Sequence, residues 1–390
     1  MKAVQIIFYT LLGGCLLGGL LTGERTYFIV VYVQFGVLLL SLVLNLWTVL
    51  HFSFNQTVDR EQAVKGETIN LTLSIHNDMP YPFTMMRVHI EAVTEAEDTS
   101  YAFHLAPREH ITFTPPIHCA YRGTFRVGMS YVDIQDVFGL TRLHFNMLRL
   151  SYYRQKEVLI YPRVHELYSL PSHAVDEKNF DGTNLRLANS GDSFAGLREY
   201  QPGDAFKRIH WKASASKRKL YSRLYELSSQ THCLVCVDDR AACLGGEKAL
   251  MCEDTLSEAA ATILYYALSH AHAVRLSTMT GERPVEAQSV RDFSRLHRWL
   301  ALNEFKNEAG DAAALSALAH GQAFGSLYLL TLGNAQAICD ELGRQNLPFE
   351  AITVVAVNMT RPTGVKTDER VHLIALAPGD DVAKVLEESL

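Results

Sequence analysis

Residues 3–23, AVQIIFYTLLGGCLLGGLLTG, and residues 26–58, TYFIVVYVQFGVLLLSLVLNLWTVLHFSFNQTV, are two uncharged runs separated only by Glu24 and Arg25. Each meets the roughly 20 residues that a helix needs to cross the hydrocarbon core of a bilayer. A signal peptide begins with a run like the first. Here, however, a small-x-small cleavage site is missing and a longer apolar run follows at once, so the pair reads as a retained transmembrane α-hairpin over residues 1–54. Gly14, Gly18 and Thr22 recur every four residues, with Cys15, Gly19 and Gly23 beside them, a small-residue stripe against which the second helix can pack. A hairpin leaves both ends on one side. Lys2, Arg60 and Lys65 lie near that side and Arg25 alone lies in the turn, so the positive-inside rule predicts a cell-membrane protein with two spans and a cytoplasmic soluble region.

The 390 residues of the chain are enough for two or three ordinary domains, each with its own core. The seven cysteines, Cys15, Cys119, Cys233, Cys236, Cys243, Cys252 and Cys339, are odd in number and irregular in spacing. That argues against a disulfide framework and for a reducing compartment. In Glu67 to Asn77 the apolar Ile69, Leu71, Leu73 and Ile75 alternate with Asn70, Thr72, Ser74 and His76, the period of a strand with one buried face, and Asn77-Asp78-Met79-Pro80 supplies a turn. Shorter alternations follow at Met86 to Ile90, Tyr101 to Leu105 and Ile111 to Phe113. Residues 55–150 are therefore expected to form an antiparallel β-sandwich, a spacer or binding module in most settings.

Residues 119–230 carry the densest motifs, with the signature segment proper at 151–230. Tyr121-Arg122-Gly123-Thr124-Phe125 and Asp136-Val137-Phe138-Gly139-Leu140 come first, and GDSFAGLREYQPGDAFKRIHWKASASKRKL follows at 191–220. Through Leu197-Arg198-Glu199-Tyr200, Pro202-Gly203-Asp204, Arg208 and Trp211-Lys212 the chain closely resembles the bacterial family known as domain of unknown function 58. Val137 stands where that family commonly has proline, and Ser216 replaces an expected arginine. The resemblance implies a membrane hairpin, a β-sandwich, this signature segment and a domain similar to the von Willebrand factor A fold. It also implies a setting beside MoxR-type AAA+ ATPases.

Physically, Pro202-Gly203-Asp204 is a turn, and Arg198, Asp204 and Arg208 could form a charge network packed over Trp211. Such a network either pins a loop between domains or offers a docking surface built on an Arg and Trp hot spot that also takes in Tyr200 and Lys212. Between Ala205 and Tyr225 stand Lys207, Arg208, Lys212, Lys217, Arg218, Lys219 and Arg223 with no acidic residue. This basic face suits anionic lipid or an acidic partner, while the chain's net charge of -6 argues against nucleic acid. Gly191-Asp192-Ser193 invites comparison with a serine esterase block, but Ser193 has no identifiable base or orienting group.

Residues 231–390 alternate strand and helix. Apolar runs at His232–Val237, Ala273–Ser277, Leu327–Thr331, Ala351–Val357 and His372–Ala375 are interleaved with helical stretches at Asp254–Ala271, at Ala337–Leu342 and from Asp381. The pattern predicts a largely parallel sheet covered on both faces and resembles the von Willebrand factor A fold. In that fold the first strand ends in metal-binding Asp-x-Ser-x-Ser; the matching positions here are Asp238, Arg240 and Ala242. Both serines are missing and Arg240 brings a positive charge, so Asp238 is a degenerate position and no metal or cofactor is expected. Cys233 and Cys236, three apart in one strand, are expected on opposite faces as core thiols. The reading is a multidomain, membrane-anchored, non-catalytic scaffold or adaptor, with a lipid bilayer and a MoxR-type AAA+ ATPase as its partners in assembly or maturation of other proteins. The alternatives are a hydrolase using Ser193 and a divalent-metal-dependent adhesion module centred on Asp238.

Overall fold

The computed structural model describes residues 2–94, 99–136, 138–170, 187–188, 193–200, 209–217, 219–226, 232–240, 245–279, 284–305, 325–344, 347, 349, 351–361 and 371–388. They form two compact units, Met1–Pro162 and Arg163–Leu390.

The first unit opens with α1 (Lys2–Thr22) and α2 (Arg25–His51), two helices long and apolar enough to span a membrane. Their turn is as short as expected, and Gly23 enters it with φ +69°. A Cβ on Gly18 would stand 3.3 Å from the Tyr27 ring, and one on Gly19 3.3 Å from Tyr27 and Phe28, whereas Gly13 and Gly14 face open space. The stripe therefore serves close packing only in its half nearest the turn. The polarity of α2 is inverted: Gln34, Ser41, Asn45 and Thr48 are buried, while Val33, Leu42, Leu46 and Leu50 are exposed.

No linker follows. Strand β1 (Phe52–Val58) starts at the residue after α2, and β2 (Gln62–Val64), β3 (Thr68–Asn77), β4 (Phe83–Glu91), β5 (Thr99–Leu105), β6 (His110–Phe113), β7 (Pro116–His118), β8 (Gly123–Gln135), β9 (Arg142–Asn146) and β10 (Lys156–Tyr161) complete the unit. One sheet runs β1-β3-β6 with β7 also on β3; the other runs β2-β10-β8-β4-β5 with β9 on β8. Pairing is antiparallel except for β2 with β10, which is parallel. The inward residues of both sheets, among them Ile69, Leu71, Leu73, Ile75, Val88, Val132, Val158 and Ile160, merge in one core.

The first unit continues past residue 150. Strand β10 lies between β2 and β8 with Val158 and Ile160 fully buried, so the compact unit closes at Pro162. That pairing spans about a hundred residues and has no local signature. A polar bridge also crosses between the sheets. Gln56 of β1 donates from Nε2 to the Val127 carbonyl (3.2 Å), accepts from the Met129 amide (3.2 Å), and lies 2.9 Å from the Tyr153 hydroxyl. Gly128 makes room for it: φ is +142°, and a Cβ there would lie 2.2 Å from the Gln56 amide nitrogen.

On the outer face of the second sheet Asp133 is buried under three partners. His89 Nε2 lies 3.0 Å from one oxygen and His144 Nδ1 2.7 Å from the other, and Arg142 adds an ion pair. Burial pushes this carboxyl up, but the hydrogen bonds from His144, Arg142 and His89 prevail and hold it at about 2.

The second unit contains a three-stranded sheet, β11-β13-β12, of β11 (Leu187–Ala188), β12 (Ser193–Glu199) and β13 (Tyr221–Glu226), with α3 (Trp211–Lys217) between the last two. The larger sheet comprises β14 (His232–Val237), β15 (Ala273–Thr278), β16 (Val285–Ala287), β17 (Ser326–Thr331), β18 (Ala351–Val357) and β19 (Val371–Leu376) in the order β16-β15-β14-β17-β18-β19. All neighbours are parallel except β15 with β16. Helices α4 (Glu247–Ser269), α5 (Phe293–Leu302) and α7 (Val382–Glu388) cover one face, and α6 (Ala335–Arg344) covers the other. Burial on both sides explains why β14 and β18 read as continuous apolar runs. Cys233 and Cys236 fall in the cores of opposite faces, as their spacing predicts. Residues 163–170 lie along the helical face: Val164, Leu167 and Leu170 pack on its core, and His165 Nε2 lies 2.7 Å from Glu258 of α4.

Asp133→Asn is expected to destabilise the first unit by about 1.5–3 kcal/mol, the range for hydrogen bonds made to a charged group. Because the folded carboxyl titrates at about 2, below its unfolded value, this contribution is complete above about pH 4 and fades as pH falls through the folded value. Thermal unfolding of both forms across that window checks it; a constant difference would contradict the assignment.

Candidate functional site

The described part of the signature comprises strand β12, the short helix α3 and strand β13. β12 pairs antiparallel with β13, with a register shift between Phe194 and Gly196. The Tyr200 amide donates to the Leu220 carbonyl (2.8 Å) and the His210 amide to the Tyr221 carbonyl (2.8 Å), so both ends of the intervening segment are pinned to the approach to β13. Helix α3 is fixed by two further bonds. The Ala213 amide donates to His210 Nδ1 (3.1 Å), which leaves the ring's other nitrogen to carry the proton, and the Tyr221 amide donates to Ser214 Oγ (2.9 Å). Ile209, Ser214 and Ser222 are buried beneath it.

With its inner side so fastened, α3 turns Trp211 and Lys212 outward. Asp204 and Arg208 of the expected charge network lie outside the described residues, and Trp211 is 65% exposed. The reason for that exposure is geometric: His210 and Ser214 occupy the side that faces the sheet. Tyr200 is half-buried and Lys219 exposed. Arg198 and Ser193 lie on β12, where Ser193 is opposite Glu226; Lys217 ends α3 and Arg223 lies on β13. Gly203, Asp204, Lys207, Arg208 and Arg218 lie outside the described residues.

A second constellation sits at the carboxyl ends of β14 and β17. These are the two strands from which the chain proceeds in opposite directions across the sheet, the place where open parallel sheets form a ligand crevice. Asp238 is buried there. Thr331 Oγ1 donates to its Oδ2 (2.7 Å), while Arg240 donates through Nε to Oδ1 (2.5 Å) and through a terminal nitrogen to Oδ2 (2.6 Å). The Gly333 amide in turn donates to Thr331 Oγ1 (2.9 Å). The bond to Asp238 holds the Arg240 guanidinium above its ordinary value. Both carboxylate oxygens are thus engaged by a resident cation, and Asp238 accepts hydrogen bonds at the end of β14. The role of Thr331 carried no motif. Among the described residues no group of three His, Cys, Asp or Glu side chains is placed to hold a metal ion. Burial pushes the Cys233 thiol up to about 12 and the Cys236 thiol further up, so neither is a thiolate at neutral pH.

Residues 196–330, from β12 to β17, match the family model described as protein of unknown function DUF58. Uncharacterized protein YeaD of Bacillus subtilis (strain 168) is 22% identical over 209 residues, which cover 50% of this chain and 50% of that protein. The chain therefore spans about half the length of this curated relative. Both findings agree with the resemblance carried by the signature. Among solved structures, the CARDB domain of the PF1109 protein of Pyrococcus furiosus matches 28% of this chain and 94% of its own at 10% identity and a TM-score of 0.21. The alkylpurine DNA glycosylase AlkC of Pseudomonas fluorescens matches 25% of this chain and 30% of its own at 18% identity and a TM-score of 0.18. Neither likeness is close enough to bear on fold or activity.

Arg240→Met is expected to cost about 3 kcal/mol, since removing one partner strands a buried carboxylate. Thermal unfolding with and without magnesium checks the assignment. The wild-type midpoint should not respond to the ion; a rise that Asp238→Ala abolishes would put a cation on Asp238.

Proposed function

We propose that the chain is a membrane-anchored, non-catalytic scaffold or adaptor that works with a MoxR-type AAA+ ATPase in the assembly or maturation of other proteins. The observation that carries this reading is Trp211, an indole 65% exposed at the head of a helix held rigidly from behind. A fixed, solvent-facing tryptophan among basic residues has the composition of a binding hot spot, and an acidic protein surface is its natural complement. Lys207, Lys212, Lys217, Arg218, Lys219 and Arg223 supply the charge.

Membrane spanning by α1 and α2 is supported by their inverted polarity, since helices that expose leucine and valine and bury Gln34, Ser41 and Asn45 suit a hydrocarbon solvent. The charge count of Lys2, Arg60 and Lys65 against Arg25 favours a cytoplasmic body. We read the paired sheets of the first unit as a β-sandwich and the larger sheet of the second as von Willebrand factor A-like. The four-part division at residues 54, 150 and 230 serves as a functional map of anchor, spacer, signature and C-terminal domain. The hold of Arg240 on Asp238 weighs against the metal-dependent adhesion reading.

A pull-down with the full chain in nanodiscs and the purified MoxR-type ATPase of the same host tests the proposal. Trp211→Ala and the triple reversal Lys217→Glu, Arg218→Glu, Lys219→Glu should each weaken capture by roughly tenfold or more, the effect of removing a hot spot. Equal capture by wild type and both variants, or none by wild type, would sink it.

A further inference from the structure

The turn that joins β8 to β9 reaches the helices. Ser41 Oγ lies 2.6 Å from Thr141 Oγ1, Asn45 Nδ2 donates to the same oxygen (2.7 Å) and to the Thr141 carbonyl (3.3 Å), and Gln5 Nε2 donates to the Leu140 carbonyl (3.4 Å). We propose that Asp136 and residues 138–141 form a foot set into the membrane interface, with Phe138 among the acyl chains beside the start of α1 and the bilayer as its partner. This rests on the reading that α1 and α2 span the membrane.

Depth follows from the hairpin. Gln5 lies seventeen residues back from the end of α1, and Leu42 lies seventeen residues on from the start of α2, so the two stand level across the antiparallel pair. The shared contact of Gln5, Ser41 and Asn45 with one turn agrees with that register. Helix α1, with 21 residues, is about 31 Å long and matches a hydrocarbon core of about 30 Å, which puts Lys2 at its edge. Gln5, three residues further in, then carries the Leu140 carbonyl about 5 Å inside that edge. Trp47, stacked on His51 with ring centroids 4.8 Å apart, stands six residues beyond Ser41, on the headgroup side where interfacial aromatics collect.

The turn is chemically suited to that depth. Hydrocarbon demands that backbone polar groups be satisfied from within. Asp136 accepts from the Phe138 amide (3.1 Å) and the Thr141 amide (2.8 Å), and its carbonyl accepts from the Gly139 amide (3.1 Å). The carbonyls of Leu140 and Thr141 are taken by the helices. Gly139 turns the chain at φ +69°. Leu140 is buried, whereas Phe138 leaves 47% of its surface outside, and Ile6, Ile7 and Leu42 of the helices are exposed as well.

Photocrosslinking tests the foot. Benzoylphenylalanine replaces Phe138, Leu42 or Arg126 in the full chain, reconstituted in vesicles of phosphatidylcholine and phosphatidylglycerol. Arg126 is exposed on the same strand, nine residues and about 30 Å before its membrane-side end. Lipid adducts at 138 and 42 but not at 126 are expected. Adducts at 42 alone, adducts at all three positions, or a protein adduct at 138 would overturn the foot and leave the hairpin standing. No lipid adduct at 42 would overturn both.

Discussion

The absence of a linker between α2 and β1 governs the first unit. His51 is the last helical residue and Phe52 the first in the strand, so the helix axis fixes where the sheet begins. A single covalent joint would still swivel. Ser41 and Asn45 remove that freedom by holding Thr141, a full two turns back along the helix, at the far end of the second sheet's longest strand. Gln56 then ties β1 to β8 through Val127 and Met129. Helix, first sheet and second sheet are therefore joined at three places, and the apolar helices and the sheets behave as one body.

Those joints explain which parts of the fold could be read from the sequence. Strand β3 was legible because one face is buried and the other wet, so period two survives from Ile69 to Ile75. Strands β14 and β18 were legible for the opposite reason, burial on both faces. The apolar runs gave the first helix and the start of the second to within a residue, but the second run continues to Val58, seven residues past the helix end at His51. What failed was long-range pairing. Strand β10 pairs on one side with β2, about a hundred residues earlier, and Asp133 gathers partners from β4 and β9 that no spacing rule connects. The polar residues of α2 were the one overlooked signal. Glutamine, serine and asparagine inside an apolar helix are costly unless paired, and their partners are the turn itself.

The signature shows the same limit. Its dense charges drew the reading to Arg198, Asp204 and Arg208, whereas the described contacts that fix α3 come from other residues. His210 and Ser214, less conspicuous residues, do the anchoring and leave the indole outside. Which side of a seven-residue helix faces inward depends on two hydrogen bonds, and neither has a sequence motif.

Arg240 decides what the crevice of the larger sheet can offer. A hard cation held by oxygen ligands exchanges with the medium and presents open coordination sites, so a crevice built on one responds to ion supply. A guanidinium is covalently resident, stays charged at any physiological pH, and spends its fork on Asp238, so the carboxylate gains a counter-charge that cannot dissociate. Thr331 and Gly333 extend the pairing across the strand ends, and the crevice becomes a fixed hydrogen-bonded floor between β14 and β17. On the adaptor reading, this gives the C-terminal domain a constant shape whatever the ionic conditions, and leaves partner recognition to the exposed face that carries Trp211.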